Sequence, residues 1–197
     1  MKKGGGSNKG SAFERELCKK FSLWVSDGNR DDLYWRTAGS GARASVRGKK
    51  EMATANSCGD MGCLDPEGAW LTDSFMFEFK RGYNTWRVED FLFKQKCALG
   101  LVWKKLSQEA LKEKKFAVLI LKQDRRQPLL FSTPFFFIRI LQKWDKIPVL
   151  SIPATENDED EIWTMKLNFQ EMPSPVPFHH SSGSEFRRKN FPQKTNK

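Results

Sequence analysis

Residues 59–82 read GDMGCLDPEGAWLTDSFMFEFKRG, and the organisation of the chain is best worked out from this stretch. Asp60 opens one short apolar run, and Glu78 and Lys80 lie inside a second. Between the runs, Asp65-Pro66-Glu67-Gly68 has the composition of a turn, so the two are expected to pair as an antiparallel hairpin. Alternation along a strand puts Glu78 and Lys80 on one face and Phe77 and Phe79 on the other. With Asp60 at the start of the neighbouring strand, its carboxylate meets that of Glu78. Two converging carboxylates beside a lysine suit a hard divalent cation such as Mg2+. The plain alternative is a solvated Glu/Lys pair, because Glu-x-Lys by itself is common.

Upstream, residues 37–60 are small and polar, with four basic side chains and almost no apolar content, as in a loop. Before that loop, Asp31 to Arg36 reads as a first strand. Earlier still, Ser11-Ala12-Phe13-Glu14 has the form of a capping box, and Phe13, Leu17, Phe21 and Trp24 recur at helical spacing. This predicts a helix over residues 11–25. Downstream, Val88, Phe91, Leu92, Gln95, Leu99, Val102 and Leu106 predict one helix over residues 87–113, with Gly100 as its weak point. Residues 116–121 are continuously apolar, which indicates a strand buried on both faces and parallel to the one before the helix.

The expected fold class is therefore α/β, a mixed central β-sheet flanked by helices in the order α-β-β-β-α-β. Beyond it, residues 129–131 predict a short strand, and Ser132-Thr133-Pro134 a helix start. Phe135, Phe136 and Phe137 are expected in the core or at a subunit interface. Residues 147–151 and 162–169 read as edge strands around a solvated acidic run. Residues 1–10 and 173–197 are expected to be flexible or disordered, and residues 128–172 to elaborate a domain built on residues 11–127.

Of the 34 Lys and Arg residues, twelve lie in the first fifty positions, and the net charge is +10. This excess favours a polyanionic partner, nucleic acid ahead of a membrane surface. The four cysteines lack close C-x-x-C pairing and the two histidines lie together near the end, which argues against zinc. No signal peptide or bilayer-spanning apolar run is evident. A reducing, intracellular setting with free thiols is expected.

In order, KGSAFEREL, RTAGSG, GD and EFK resemble the archaeal Holliday-junction resolvases and, more broadly, the PD-(D/E)XK nuclease superfamily, over about residues 9–122. The resemblance implies a restriction-endonuclease-like core and a metal-dependent endonuclease. It assigns Asp60, Glu78, the Phe79 carbonyl and Glu14 to a Mg2+ ion, with Mn2+ as a substitute. Lys80 becomes the catalytic lysine, and Ser40 a catalytic residue that also holds phosphate. Arg36, Arg43, Arg47, Lys49, Lys50 and Gln95 become DNA contacts. Glu14 also keeps its reading as part of a helix cap.

Two departures stand out: Gly59 occupies the position of the signature proline, and the loop between Ser40 and Asp60 is long. The implied substrate is branched DNA, cut by a homodimer in paired nicks. The alternatives are a restriction, repair or recombination endonuclease on the same fold, and a DNA-binding module without catalysis.

Overall fold

The computed structural model describes residues 5–37, 59–93, 97–140, 150–152 and 161–175. Helix α1 runs Gly5–Val25 and buries Phe13, Leu17, Phe21 and Trp24, the predicted stripe. It starts six residues before Ser11, so Ser11 lies within the helix and the capping box is not used. Extending an anchored helix by a turn costs less than starting a new one.

After α1 comes β1, Trp35–Arg36, shorter than the strand expected from Asp31. It pairs antiparallel with β2, Met61–Gly62. The expected hairpin is replaced by a helix, α2, Pro66–Ser74. Asp65 accepts the Glu67 N–H at 3.0 Å and Pro66 takes the first helical position. Asp-Pro-Glu is thus a helix start, a composition it shares with a turn.

β3, Phe75–Arg81, follows directly. The single helix expected over 87–113 is two: α3, Val88–Phe93, and α4, Ala98–Lys112. Cys97 caps α4, its Sγ accepting the Gly100 N–H at 3.2 Å, so the break precedes Gly100.

β4, Phe116–Lys122, lies parallel to β3 in the register Phe75↔Phe116 to Arg81↔Lys122, as predicted. β5, Leu129–Ser132, then α5, Pro134–Ile140, fall where the sequence placed them. β6, Leu150–Ile152, and β7, Ile162–Lys166, complete a five-stranded sheet ordered β3-β4-β5-β7-β6. Of the two segments expected at edges, β6 is an edge strand and β7 is internal, because β5 pairs with it across Leu129↔Lys166 to Ser132↔Trp163. The other sheet edge is β3.

One face of the sheet is covered by α1, α2 and α5, and Phe135, Phe136 and Phe137 are core residues there. The opposite face is covered by Leu99, Trp103, Leu106 and Ala110 of α4. The chain returns to α1 at its far end. Phe169 meets Phe21 edge-on at 4.9 Å, Trp24 Nε1 donates to the Pro173 carbonyl at 2.7 Å, and Ser174 donates to Asp27 at 2.7 Å. Pro173 and Ser174, expected to be disordered, are held at the C-terminal end of α1 and the turn after it. Among the described residues, no helix is long and apolar enough to cross a membrane, and Cys18 and Cys97 are free thiols.

Candidate active site

The edge of β3 away from β4 organises the site. Phe77 and Phe79 are buried against the α1 face, which by alternation turns the half-buried Glu78 and Lys80 to the other side. Asp60 approaches from the loop before β2 and grips the strand twice. Its N–H donates to the Phe77 carbonyl at 2.7 Å, and its Oδ2 accepts the Phe79 N–H at 2.8 Å. The two contacts straddle Glu78, so Asp60 is brought beside Glu78 without a hairpin. A strand residue sends its N–H and C=O to the same edge, so the Phe79 carbonyl emerges beside Asp60.

The close approach explains the departure at Gly59. Its φ is +79°, and a Cβ there would lie 2.4 Å from the Phe77 carbonyl oxygen and 3.1 Å from its nitrogen. Proline, locked near −65°, cannot adopt this conformation. Thr37 completes the lock: its N–H donates to the Asp60 carbonyl at 3.1 Å and its hydroxyl to the Gly59 carbonyl. The role of Thr37 was missed in the sequence, where a threonine opening a polar loop carries no distinguishing signal.

Charge is concentrated here. The Asp60 carboxyl is pushed up to about 6, first by burial, then by the negative charge of Glu78, with Glu14 adding to it; the Phe79 N–H and Lys80 pull the other way. Lys80 forms an ion pair with Glu78. Burial works against its ammonium, but the charge and hydrogen bond of Glu78, with Asp60 behind, leave its pKa raised. Glu14, on α1, pairs with Arg36 of β1. The buried Cys18 thiol is pushed up to about 12, by burial and then by the charges of Asp60 and Glu14.

Glu14, Arg36, Asp60, Glu78, Phe79 and Lys80 therefore come together at one end of β3. Ser40, Arg43, Arg47, Lys49, Lys50 and Gln95 lie outside the described residues. Among the described residues, no three His, Cys, Asp or Glu side chains form a complete metal cage. The donors still fit Mg2+, which takes one or two carboxylates and otherwise prefers water and phosphate oxygen. Burial and the neighbouring charge of Glu78 raise the Asp60 pKa, and a divalent cation would favour the ionised carboxylate.

The sequence model of the family described as "Phage putative PDDEXK endonuclease" matches residues 5–177. No curated protein and no solved structure matches the chain.

Proposed function

The chain belongs to this family of phage PDDEXK endonucleases, and on that premise we propose that it is a Mg2+-dependent DNA endonuclease acting at branched DNA, with its chemistry at Asp60, Glu78 and Lys80. The observation that carries this reading is the double grip of Asp60 on β3 around Glu78. Two carboxylates pressed together in a half-buried site destabilise one another unless a cation joins them, and a solvated charge pair would not be built this way.

Asp60, Glu78 and the Phe79 carbonyl would hold the metal, with Glu14 behind them. The bound ion would supply an activated water and a counter-charge for the phosphate. Hydrolysis forms a bond from water oxygen to phosphorus and breaks one phosphodiester P–O bond, the leaving oxygen taking up a proton.

Lys80, kept cationic by Glu78, donates hydrogen bonds and positive charge to the phosphate oxygens as charge builds in the transition state. Its raised pKa suits this role better than that of a proton acceptor. Arg36 holds the Glu14 side chain in place on α1 through their ion pair. Ser40 and the cations Arg43, Arg47, Lys49 and Lys50, which precede Asp60 in the sequence, would meet the DNA backbone, as would Gln95. A four-way junction has two strands to cut, and a two-fold homodimer offers two such sites in matching symmetry.

The test incubates the full-length protein with a labelled four-way junction and with a linear duplex of the same sequence, with and without Mg2+. Paired symmetric nicks on the junction are expected, and none on the duplex. Equal cutting of both would remove the branch preference and leave the nuclease. Binding without cutting in Mg2+ or Mn2+ would overturn the catalytic reading.

A further inference from the structure

Beyond the catalytic lysine, β3 runs into a loop whose construction the hydrolytic chemistry does not explain. Gly82 and Tyr83 both have positive φ, +90° and +47°, and Arg125 in the facing loop after β4 has φ +58°. Asp27 and Lys114 share this conformation, but each sits just past a helix, where it is common. Tyr83 and Arg125 follow strands, and a bulky residue at positive φ persists only where its surroundings enforce it.

Those surroundings are specific. The Gly82 N–H donates to the Lys122 carbonyl at 3.0 Å. The buried Gln123 side chain donates to the carbonyls of Tyr83 and Trp86, at 3.0 and 2.6 Å. Asn84 donates to Asp124 Oδ2 and accepts the Asp124 N–H, both at 2.9 Å. The two loops are thus bolted together, and the outcome is an aromatic pair. The Tyr83 and Trp86 ring centroids lie 4.2 Å apart, with Tyr83 44% exposed.

Asn84, the residue after Tyr83, lines a depression of about 400 Å³ together with Gln123, Asp124, Arg125 and Arg126, within the roughly 300–1,000 Å³ range of small-ligand sites. Arg125 and Arg126 are exposed there. Tyr83 is three residues past Lys80, so their Cα atoms are at most about 11 Å apart. That is about three nucleotide steps at 3.4 Å per step.

We propose that this braced double loop reads strand separation next to the cut: Tyr83, backed by Trp86, stacks on an unpaired base while Arg125 and Arg126 hold the phosphate of that nucleotide. An exposed, pre-positioned ring on one loop and two exposed guanidinium groups on the loop joined to it combine the stacking and phosphate-binding chemistry of single-stranded nucleic-acid binding. A continuous duplex keeps its bases stacked on one another and leaves the ring without a partner. The proposal rests on the nuclease reading and makes the branch preference a property of named residues.

The test uses splayed-arm DNA carrying 2-aminopurine at each unpaired position near the fork, bound to the full-length protein in EDTA. Tyr83→Gly removes the ring at a position whose φ glycine adopts freely, so the fold is retained; Tyr83→Phe keeps the ring. At one position, the fluorescence should change with the wild type and Y83F, but not with Y83G. Y83G should bind splayed-arm DNA about tenfold more weakly than the wild type and bind linear duplex unchanged. A fluorescence change that survives in Y83G, or an equal loss on both DNAs, overturns the proposal. Absence of nicking by the wild type in Mg2+ is a separate outcome and overturns the nuclease reading on which it rests.

Discussion

Burying Asp60 beside Glu78 works against the fold whenever both are ionised, and the sign of that effect can be measured. The folded pKa of Asp60, about 6, lies above its ordinary value of 3.8. A raised pKa means the contribution to stability is complete below about pH 4 and is lost as pH rises through 6. Without metal, the thermal midpoint of the wild type should therefore fall relative to that of Asp60→Asn between pH 4 and 7, and calorimetry of the two proteins isolates this group from all others. Millimolar Mg2+ should raise the wild-type midpoint at pH 7 and leave that of D60N unmoved. In the same variant, nicking should fall at least about a hundredfold, since loss of even an outer partner of a metal ligand costs 10–100-fold. Wild-type nicking rates in D60N would remove Asp60 from the site. Gly59 is constrained as tightly. Gly59→Ala drives a methyl group into the Phe77 carbonyl, at a cost on the order of 2–4 kcal/mol, and should lower both the thermal midpoint and the nicking rate.

At the scale of elements, what was legible depended on whether the signal was periodic or compositional. The stripe Phe13, Leu17, Phe21 and Trp24 and the apolar run 116–121 placed the body of α1 and β4, because both patterns mark the face that is buried; the stripe did not show that α1 begins at Gly5, in a stretch expected to be flexible. Asp65-Pro66-Glu67-Gly68 did not resolve turn from helix start, because both use Asp as an acceptor and Pro at fixed φ. The meeting of Asp60 with Glu78 was anticipated, but through a hairpin; the contact is made instead by two hydrogen bonds at the edge of β3. Thr37 and the Gln123 brace were out of reach, since their importance comes from partners far along the chain. The cap on α2 offers a test. Asp65→Ala removes the acceptor for the Glu67 N–H and one of the carboxylates around Arg30. The cap contributes about 1 kcal/mol and the half-exposed pair little. The thermal midpoint should drop by roughly 2–4 °C, with the nicking rate at saturating Mg2+ unchanged. A large loss of activity would mean that α2 takes part in the site.

The whole molecule ties its candidate catalytic edge to the far end of the chain. α1 carries Glu14 on the side facing Asp60, and its C-terminal half is held by a segment 149 residues away, through Trp24 and the Pro173 carbonyl. Phe169 lies between Phe21 and Trp24, 4.9 and 6.4 Å from their rings, and Phe21 in turn packs edge-on to Phe77 at 5.1 Å, the residue that receives the Asp60 N–H. A continuous aromatic path therefore runs from residue 169 to the backbone on which the carboxylates are mounted. Phe169→Ala removes a partly buried ring, at a cost of about 2 kcal/mol, which corresponds to roughly 4–8 °C in thermal midpoint. If α1 were only a scaffold, nicking by the folded fraction would be unchanged. Because the lost ring lets α1 shift against β3, the concentration of Mg2+ needed for half-maximal nicking should rise as well, while the rate at saturating Mg2+ recovers toward wild type. A metal titration of both proteins well below their thermal midpoints separates the two outcomes, and an unchanged metal requirement would confine the C-terminal segment to stability alone.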